Sequence, residues 1–117
     1  MKEFDLKSRT KIFSLRIIKL YTSLPKSGEA QVIGKQVLRS GTSVGAQYRE
    51  ACRSRSNSEF ISKMQSSLQE LDETAYWLEL LVDGDIVKAD KLTELRRETD
   101  ELIAIFVASV KTARTRK

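Results

Sequence analysis

The stretch RSGTSVGAQYREACRSRSNSEFISK, residues 39–63, decides how the chain folds. Its first half places Gly41 and Gly45 four residues apart on one helix face, where the missing side chains leave a smooth strip for a neighbouring helix. Its second half contains Ser56 three residues before Glu59, the spacing at which a hydroxyl and a carboxylate cap the amide groups of a new helix. The stretch therefore predicts one helix, a tight corner and the start of the next helix.

Apolar residues at helical spacing extend this pattern in both directions. We expect helix one over about 5–23, stopped by Pro25, and helix two from Ser27 or Glu29 to about Ser54. The stripes predicted to face the core are Phe13, Ile17, Leu20 and Leu24, with Leu6 and Ile12 beside them, and then Ile33, Val37, Val44 and Tyr48, widened by Val32, Leu38 and Cys52. The weak helix formers at 40–43 are expected to stay helical only through packing deep in the bundle.

Helix three has the most regular pattern, and the turn at 83–85 separates it from helix four. The predicted core seam of helix three is Ile61, Met64, Leu68, Leu71, Ala75, Leu78 and Val82, and that of helix four is Leu92, Leu95, Thr99, Leu102, Phe106 and Val110. Short connections make neighbouring helices antiparallel. We therefore predict an all-α fold, an antiparallel up-down four-helix bundle, that occupies residues 1–117 as one domain.

Composition agrees with a helical fold and sets the compartment that we expect. The 117 residues include one proline and five glycines, so we expect no strands. Cys52 is the only cysteine, which rules out an internal disulfide and fits a reducing cytoplasm; we expect it to be a small buried side chain. The longest apolar run, 102–110, is too short to span a membrane, and no signal-peptide core follows Met1. We expect a cytoplasmic protein without a membrane partner.

Apolar residues also spread off the seams of helices three and four, between 76 and 82 and between 102 and 110. A helix that is apolar nearly all round is either central to a core or shared with another subunit. An unusually thick core remains the alternative, but four helices offer no such central position. We therefore predict a homo-oligomer whose interface contains Tyr76, Trp77, Leu80, Leu81, Ile103, Ile105 and Val107.

The sequence lacks the residues on which most catalytic sites depend. The absence of histidine removes the usual general base and the Glu-x-x-His pairs of di-iron bundles. Four acids of helix three fall mainly off its seam: Glu70, Asp72, Glu73 and Glu79. We interpret them as a solvated face, or as partners for Arg39 and Arg16, rather than as a metal site. We expect no enzyme activity, no metal and no cofactor.

An up-down bundle brings the start of helix one, the corner between helices two and three, and the C-terminal tail to one end. Basic residues predominate there, and those predicted to bind nucleic acid are Lys7, Arg9, Arg49, Arg53, Arg55, Arg114, Arg116 and Lys117. Arg49 and Arg53 lie four apart beside Tyr48, a combination suited to phosphates and one stacked base. The competing interpretation is that these arginines pair with Glu50, Glu59 or acids of a neighbouring subunit.

Residues 36–81, QVLRSGTSVGAQYREACRSRSNSEFISKMQSSLQELDETAYWLELL, resemble the bacterial family of 23S rRNA intervening-sequence proteins. The residues that carry the resemblance are Arg39, Ser40, Ser43, Val44, Tyr48, Glu50, Ala51, Arg53, Phe60, Leu68, Glu70 and Glu73. Residues 47–49 read Gln-Tyr-Arg where many members have Asn-Ile-Ala. The resemblance implies a four-helix bundle that assembles as a ring-like homopentamer without enzymatic activity. It also implies a relationship to the accessory protein of diversity-generating retroelements, which binds a reverse transcriptase and nucleic acid.

Together these observations predict a non-enzymatic oligomer that binds RNA or DNA through its basic end, as an accessory to a reverse transcriptase or to ribosomal RNA. The alternative is a protein-interaction scaffold that does not bind nucleic acid. Dependence of binding on salt distinguishes the two, because neutralised phosphates release counterions.

Overall fold

A computed structural model describes residues 5–116 of the chain, and all the regular structure in that range is helical. The four helices are α1 (Leu6–Ser23), α2 (Gly28–Cys52), α3 (Asn57–Asp83) and α4 (Ala89–Arg114). They form an elongated body of 50 × 25 × 21 Å. The predicted all-helical fold with four helices is confirmed, and the helix bounds agree with the sequence pattern to within a few residues.

Local signals explain where the helices begin and end. The Asp5 carboxylate accepts a hydrogen bond from the Ser8 amide at 3.2 Å and so caps α1. Ser56 caps α3 in the same way, because its hydroxyl accepts from the Glu59 amide at 3.0 Å. Past the end of α3, Asp85 takes a φ of 61°, the left-handed conformation in which the chain turns towards α4.

The glycines of α2 allow it to lie close against α1, as predicted. A Cβ atom on Gly41 would lie 2.7 Å from Ile17 Cγ1, and one on Gly45 would lie 3.1 Å from Thr10 Oγ1. Further along, a Cβ atom on Gly34 would lie 2.6 Å from a methyl carbon of Leu24. Glycine is therefore favoured at Gly41 by the packing of the two helices rather than by backbone conformation.

The contact between α2 and α3 is partly polar, which differs from the predicted apolar seam. Ser40 and Thr74 are fully buried, and their hydroxyls share a hydrogen bond of 2.8 Å. The buried Ser67 hydroxyl donates to the Val44 carbonyl oxygen, also at 2.8 Å. Buried polar groups with partners are tolerated in a core, so α3 is rotated to place these small hydroxyls against α2. The burial of Ser40 and Gly41 confirms the expected deep packing for the first half of segment 40–43, whereas Thr42 and Ser43 are only partly buried.

This rotation corrects the predicted core of α3. The fully buried positions of the helix are Met64, Ser67, Leu71, Thr74, Leu78 and Leu81. The predicted seam residues Ile61, Leu68, Ala75 and Val82 are only partly buried. The core residues of α1 and α4 were predicted correctly, with Phe13, Ile17, Leu102 and Phe106 all fully buried.

Three further expectations about burial were wrong. Ile12 and Val32 were predicted to lie beside the core stripes, but both are exposed. Cys52 was expected to be a small buried residue, and it is also exposed. Each of these residues lies at the margin of a helical stripe, where a rotation of the helix by a fraction of a turn decides between core and solvent.

Candidate nucleic-acid interface

Three segments meet at the basic end of the molecule. The Arg49 guanidinium lies 3.5 Å from the Lys7 carbonyl oxygen, which joins the last turns of α2 to the start of α1. Beyond the corner, the Asn57 amide donates to the Ala113 carbonyl oxygen at 2.7 Å. That bond satisfies a carbonyl at the end of α4 and fixes the tail of α4 beside the start of α3.

The corner itself is held by a capping arrangement that leaves its arginines outside. The Glu59 carboxylate accepts a hydrogen bond from the Arg55 backbone amide at 3.0 Å, while the Ser56 hydroxyl caps Glu59 in return. This capping geometry confirms the one predicted from the sequence. It uses the backbone of Arg55 and not its side chain, so the guanidinium stays available.

Three of the predicted binding residues lie together and are exposed: Arg49, Arg53 and Arg55. Within residues 5–116, none of them forms an ion pair with a carboxylate. Glu50, one of the acids that could have neutralised them, instead accepts a hydrogen bond from Lys63 at 2.9 Å, which raises the pKa of Lys63. The interpretation that Arg49 and Arg53 pair with acids of their own corner is therefore not realised in the described part of the chain.

Arg9 is placed differently from the other predicted binding residues. Its guanidinium donates to Glu98 at 2.8 and 2.9 Å and to Glu101 at 2.6 Å, and its side chain is 27% exposed. The hydrogen bond to Glu98 raises the pKa of Arg9 above its ordinary value, although partial burial acts in the opposite direction. Arg9 thus connects α1 to α4, and two acids already compensate its charge.

The remaining predicted binding residues lie around this corner. Lys7, Arg114 and Arg116 are exposed, and Lys117 lies outside the described residues. Lys11, one turn beyond Lys7, is also exposed and lines a shallow groove of about 290 Å³ with Arg49.

Tyr48 is oriented towards the core rather than towards a ligand. Its ring packs edge-on against Phe106, with centroids 5.8 Å apart and planes at 64°. Burial raises the pKa of Tyr48 to about 12, and a hydrogen bond with Cys52 adds to the shift. Because the ring is partly buried and packs against a core side chain, the arrangement favours a structural role for Tyr48 over the predicted stacking on a base.

The predicted interface residues divide into three groups. Tyr76 and Val107 are exposed, and four others are partly buried: Trp77, Leu80, Ile103 and Ile105. Leu81 is a correction, because it is fully buried in the core of its own chain and has no surface to offer a second subunit. Ile105 lines an apolar groove of about 460 Å³ between α4 and Phe60.

The sequence interpretation missed an exposed apolar row on α1, formed by Ile12, Leu15 and Ile18. A signal for it exists in the sequence. Residues 12–13 and 17–18 are apolar pairs, and consecutive residues of a helix point about 100° apart. Since Phe13 and Ile17 face the core, their neighbours must lie towards solvent.

Other site types find little support in the described residues. Arg39 pairs with Glu70 and Glu73 at 3.3 and 2.7 Å, as the sequence predicted, whereas Arg16 lines a groove between α1 and α4. No group of three or more acidic or sulfur side chains between residues 5 and 116 is arranged to hold a metal ion. Nor is any helix in that range long and apolar enough to cross a membrane.

Comparison with known proteins agrees with the resemblance carried by residues 36–81. A solved structure from Bacteroides thetaiotaomicron, described as a protein with unknown function from the S23 ribosomal protein family, matches with a TM-score of 0.84 at 35% sequence identity. The match covers 90% of this chain and 97% of that one. No curated protein matches the sequence. The family model for the 23S rRNA-intervening sequence protein matches residues 2–108, and the chain therefore belongs to that family.

Proposed function

We propose that this chain is a non-enzymatic, oligomeric protein that binds RNA or DNA through its basic end. The observation that carries the proposal is the group of exposed arginines at the corner, Arg49, Arg53 and Arg55, which have no carboxylate partner between residues 5 and 116. A phosphate backbone supplies regularly spaced anions, and guanidinium groups bind phosphate oxygens in a bidentate manner. The net charge of +5 favours such a polyanion over an acidic small molecule.

The proposal includes the up-down arrangement of the helices, since that arrangement gathers the cations at one end. Two contacts support it: Arg49 reaches the start of α1 at Lys7, and Asn57 reaches the end of α4 at Ala113. In this arrangement, cations from three separate segments surround the same corner. A strand of nucleic acid could contact several of them at once.

The proposal also includes assembly into a ring-like homo-oligomer, a homopentamer by family resemblance. Exposed Tyr76 and Val107 support association of copies, because large apolar side chains gain stability when they leave water. A ring would repeat the basic corner in each subunit. Repeated weak contacts raise the total affinity for a long strand well above that of one subunit.

Resemblance to the family directs the choice of biological partner within this proposal. It favours ribosomal RNA, or the nucleic acid handled by a reverse transcriptase to which this protein is an accessory. The second candidate function, a protein-interaction scaffold, is favoured by one specific observation, the exposed apolar row Ile12, Leu15 and Ile18. Apolar surface of this kind fits a protein better than it fits a phosphate backbone.

The test replaces Arg49, Arg53 and Arg55 together by glutamine and measures binding to single-stranded RNA of random sequence across a range of salt concentrations. Each lost phosphate contact lowers the slope of log affinity against log salt by about 0.7, so we expect the slope to fall by about two units. Helical content and oligomer mass should stay unchanged, because these side chains are exposed.

A matched control removes three positive charges elsewhere, with Lys26, Lys35 and Lys88 replaced by glutamine. All three are exposed, and they lie away from the corner in the α1–α2 connection, in the first half of α2 and just before α4. We expect this control to bind like the parent apart from a small uniform loss. Equal slopes for the two triple variants would show that net charge alone matters, and undiminished binding by the arginine variant would favour the scaffold.

A further inference from the structure

The outer face of α1 carries the largest exposed apolar row among the described residues. Ile12, Leu15 and Ile18 are 57%, 54% and 41% exposed, and their spacing of three residues places them on one face of the helix. Side chains of this size are normally exposed singly. A contiguous row indicates a surface that is covered in the working form of the protein.

The charges around this row have one sign. Helix α1 contains no aspartate or glutamate, and exposed Lys11 and Lys19 flank the apolar row. Neither lysine forms an ion pair with an acid in the described range. A partner for this face should therefore present apolar side chains together with acids.

The groove between α3 and α4 of the same protein has those properties. Val107 of α4 is 37% exposed, and Leu68 of α3 and Ile103 of α4 are partly buried and pack against the core. Towards the other end, Glu79 and Asp100 line a cavity of about 180 Å³, which Arg96 also lines. Both acids are exposed and lack an ion pair within residues 5–116.

The two faces belong to different sides of the molecule. Helix α1 packs on α2, as the contact between Ile17 and Gly41 shows, and reaches α4 through Arg9. Helix α3 also packs on α2 and α4, so it lies diagonally opposite α1. A copy of the chain could present its α1 face to one neighbour and its α3–α4 groove to another at the same time.

We propose that the α1 face of one copy, Ile12, Leu15 and Ile18 with Lys11 and Lys19, packs into the α3–α4 groove of a second copy. The inference rests on the oligomer in the proposed function and supplies the half of the interface that the sequence did not indicate. Because two different surfaces meet, the contact is head-to-tail. Such contacts propagate from copy to copy until a ring closes, or else they form an open chain.

The test uses two variants that each damage one face, Leu15→Glu and Val107→Glu, with sedimentation measured over a series of concentrations. The added carboxylate would have to leave water to enter the contact, and this cost opposes association even beside a lysine, so we expect each variant alone to sediment near the 13.3 kDa chain mass. When the two are mixed, the intact groove of the first meets the intact α1 face of the second. The mixture should therefore form a dimer of one copy of each and stop there.

Val32→Glu is the matched control, because Val32 is 65% exposed on α2 and lies outside both faces. It should assemble like the parent. Should a glutamate variant lose helical content, the double variant Ile12→Gln with Leu15→Gln replaces it, since glutamine removes apolar surface without adding charge.

Each other outcome overturns the inference. Assembly of Leu15→Glu like the parent would show that the α1 face is not an interface, and a mixture that stays monomeric would exclude the head-to-tail pairing. A parent that is itself monomeric would overturn both this inference and the proposed oligomer. RNA binding is measured separately. If the chain assembles as expected but does not bind RNA, only the nucleic-acid part of the proposed function is refuted.

Discussion

Gly41→Ala offers the sharpest test of how α1 and α2 pack. The added Cβ atom would lie 2.7, 2.9 and 3.1 Å from Cγ1, Cγ2 and Cδ1 of Ile17, a side chain that is fully buried. Forcing a methyl group into such a core costs about 1–3 kcal/mol. Replacing glycine by alanine inside a helix raises the free energy of unfolding by about 1 kcal/mol through helix propensity. We therefore expect a net loss of about 1 kcal/mol, or about 4 °C in melting temperature for a chain of this length.

The assay is urea unfolding followed by circular dichroism at one fixed protein concentration, since association also stabilises the folded state. Gly28→Ala is the control, because no atom lies within 4 Å of a Cβ placed there. It should be neutral or stabilising by about 0.5 kcal/mol, through the reduced freedom of the unfolded chain.

A double-mutant cycle identifies the cause of the loss. Ile17→Ala removes all three atoms that the new methyl group would meet, at its own cost of about 2–5 kcal/mol. In that background Gly41→Ala should become stabilising by about 1 kcal/mol, which gives a coupling energy of about 2 kcal/mol. The reasoning is refuted if Gly41→Ala is as stable as Gly28→Ala, or if its penalty persists when Ile17 is alanine.

Two further predictions concern Arg9 and Tyr48. Arg9→Gln should lower the free energy of unfolding by about 1–3 kcal/mol, because it leaves the half-buried Glu98 carboxylate without its guanidinium. The slope of RNA affinity against salt should change little, since Arg9 is already paired. A fall in slope as large as that of the corner arginines would contradict the structural role assigned to Arg9. Burial raises the pKa of Tyr48 to about 12 in the folded protein, whereas an unfolded tyrosine has a pKa near 10. The stability contributed by protonated Tyr48 is therefore present below pH 10 and is lost as the pH rises from 10 to 12. Spectrophotometric titration should show that Tyr48→Phe lacks the last-ionising tyrosine, and unchanged late titration would contradict the assigned burial.

The helices could be predicted from the sequence because their limits depend on local chemistry. Pro25 cannot continue α1, and Ser56 with Glu59 supplies the cap that starts α3. That a neighbouring helix approaches α2 closely was also predictable, since glycines four residues apart make a strip on any helix, although the sequence did not identify this neighbour as α1. In each case the deciding residues are near neighbours in the chain, so no knowledge of the tertiary structure was needed.

The core of α3 could not be predicted in the same way. The helical spacing of apolar residues favours Leu68 and Ala75 as core positions, yet the bundle buries Ser67 and Thr74 instead. The Thr74 hydroxyl meets the Ser40 hydroxyl, and the Ser67 hydroxyl donates to the Val44 carbonyl oxygen, only after α2 and α3 have met. A residue scale treats serine and threonine as polar, whereas their burial cost depends on a partner that lies more than 20 residues away in the sequence.

The same limit applies to the basic end. Arg9 and Arg49 are both arginines on the margin of a helix, and the sequence assigned them the same role. In the structure, Arg9 meets Glu98 and Glu101 of α4, while Arg49 lies beside the backbone of Lys7. Which cation is free depends on the spacing and rotation of α1 against α4, and these are tertiary quantities.

The exposed row on α1 is a different case, because its cause lies in the sequence itself. A helix that packs on one side has room for one stripe of apolar residues, and Leu6, Phe13, Ile17 and Leu20 already fill it. Ile12, Leu15 and Ile18 are therefore in excess of what the core of one chain can accept. An excess of apolar residues over what the core can bury predicted an interface on helices three and four. The same excess on helix one indicates a second apolar surface. Helix one carries no acid, and Glu79 and Asp100 beside the α3–α4 groove form no ion pair within residues 5–116, which is the charge pattern expected for the proposed head-to-tail contact.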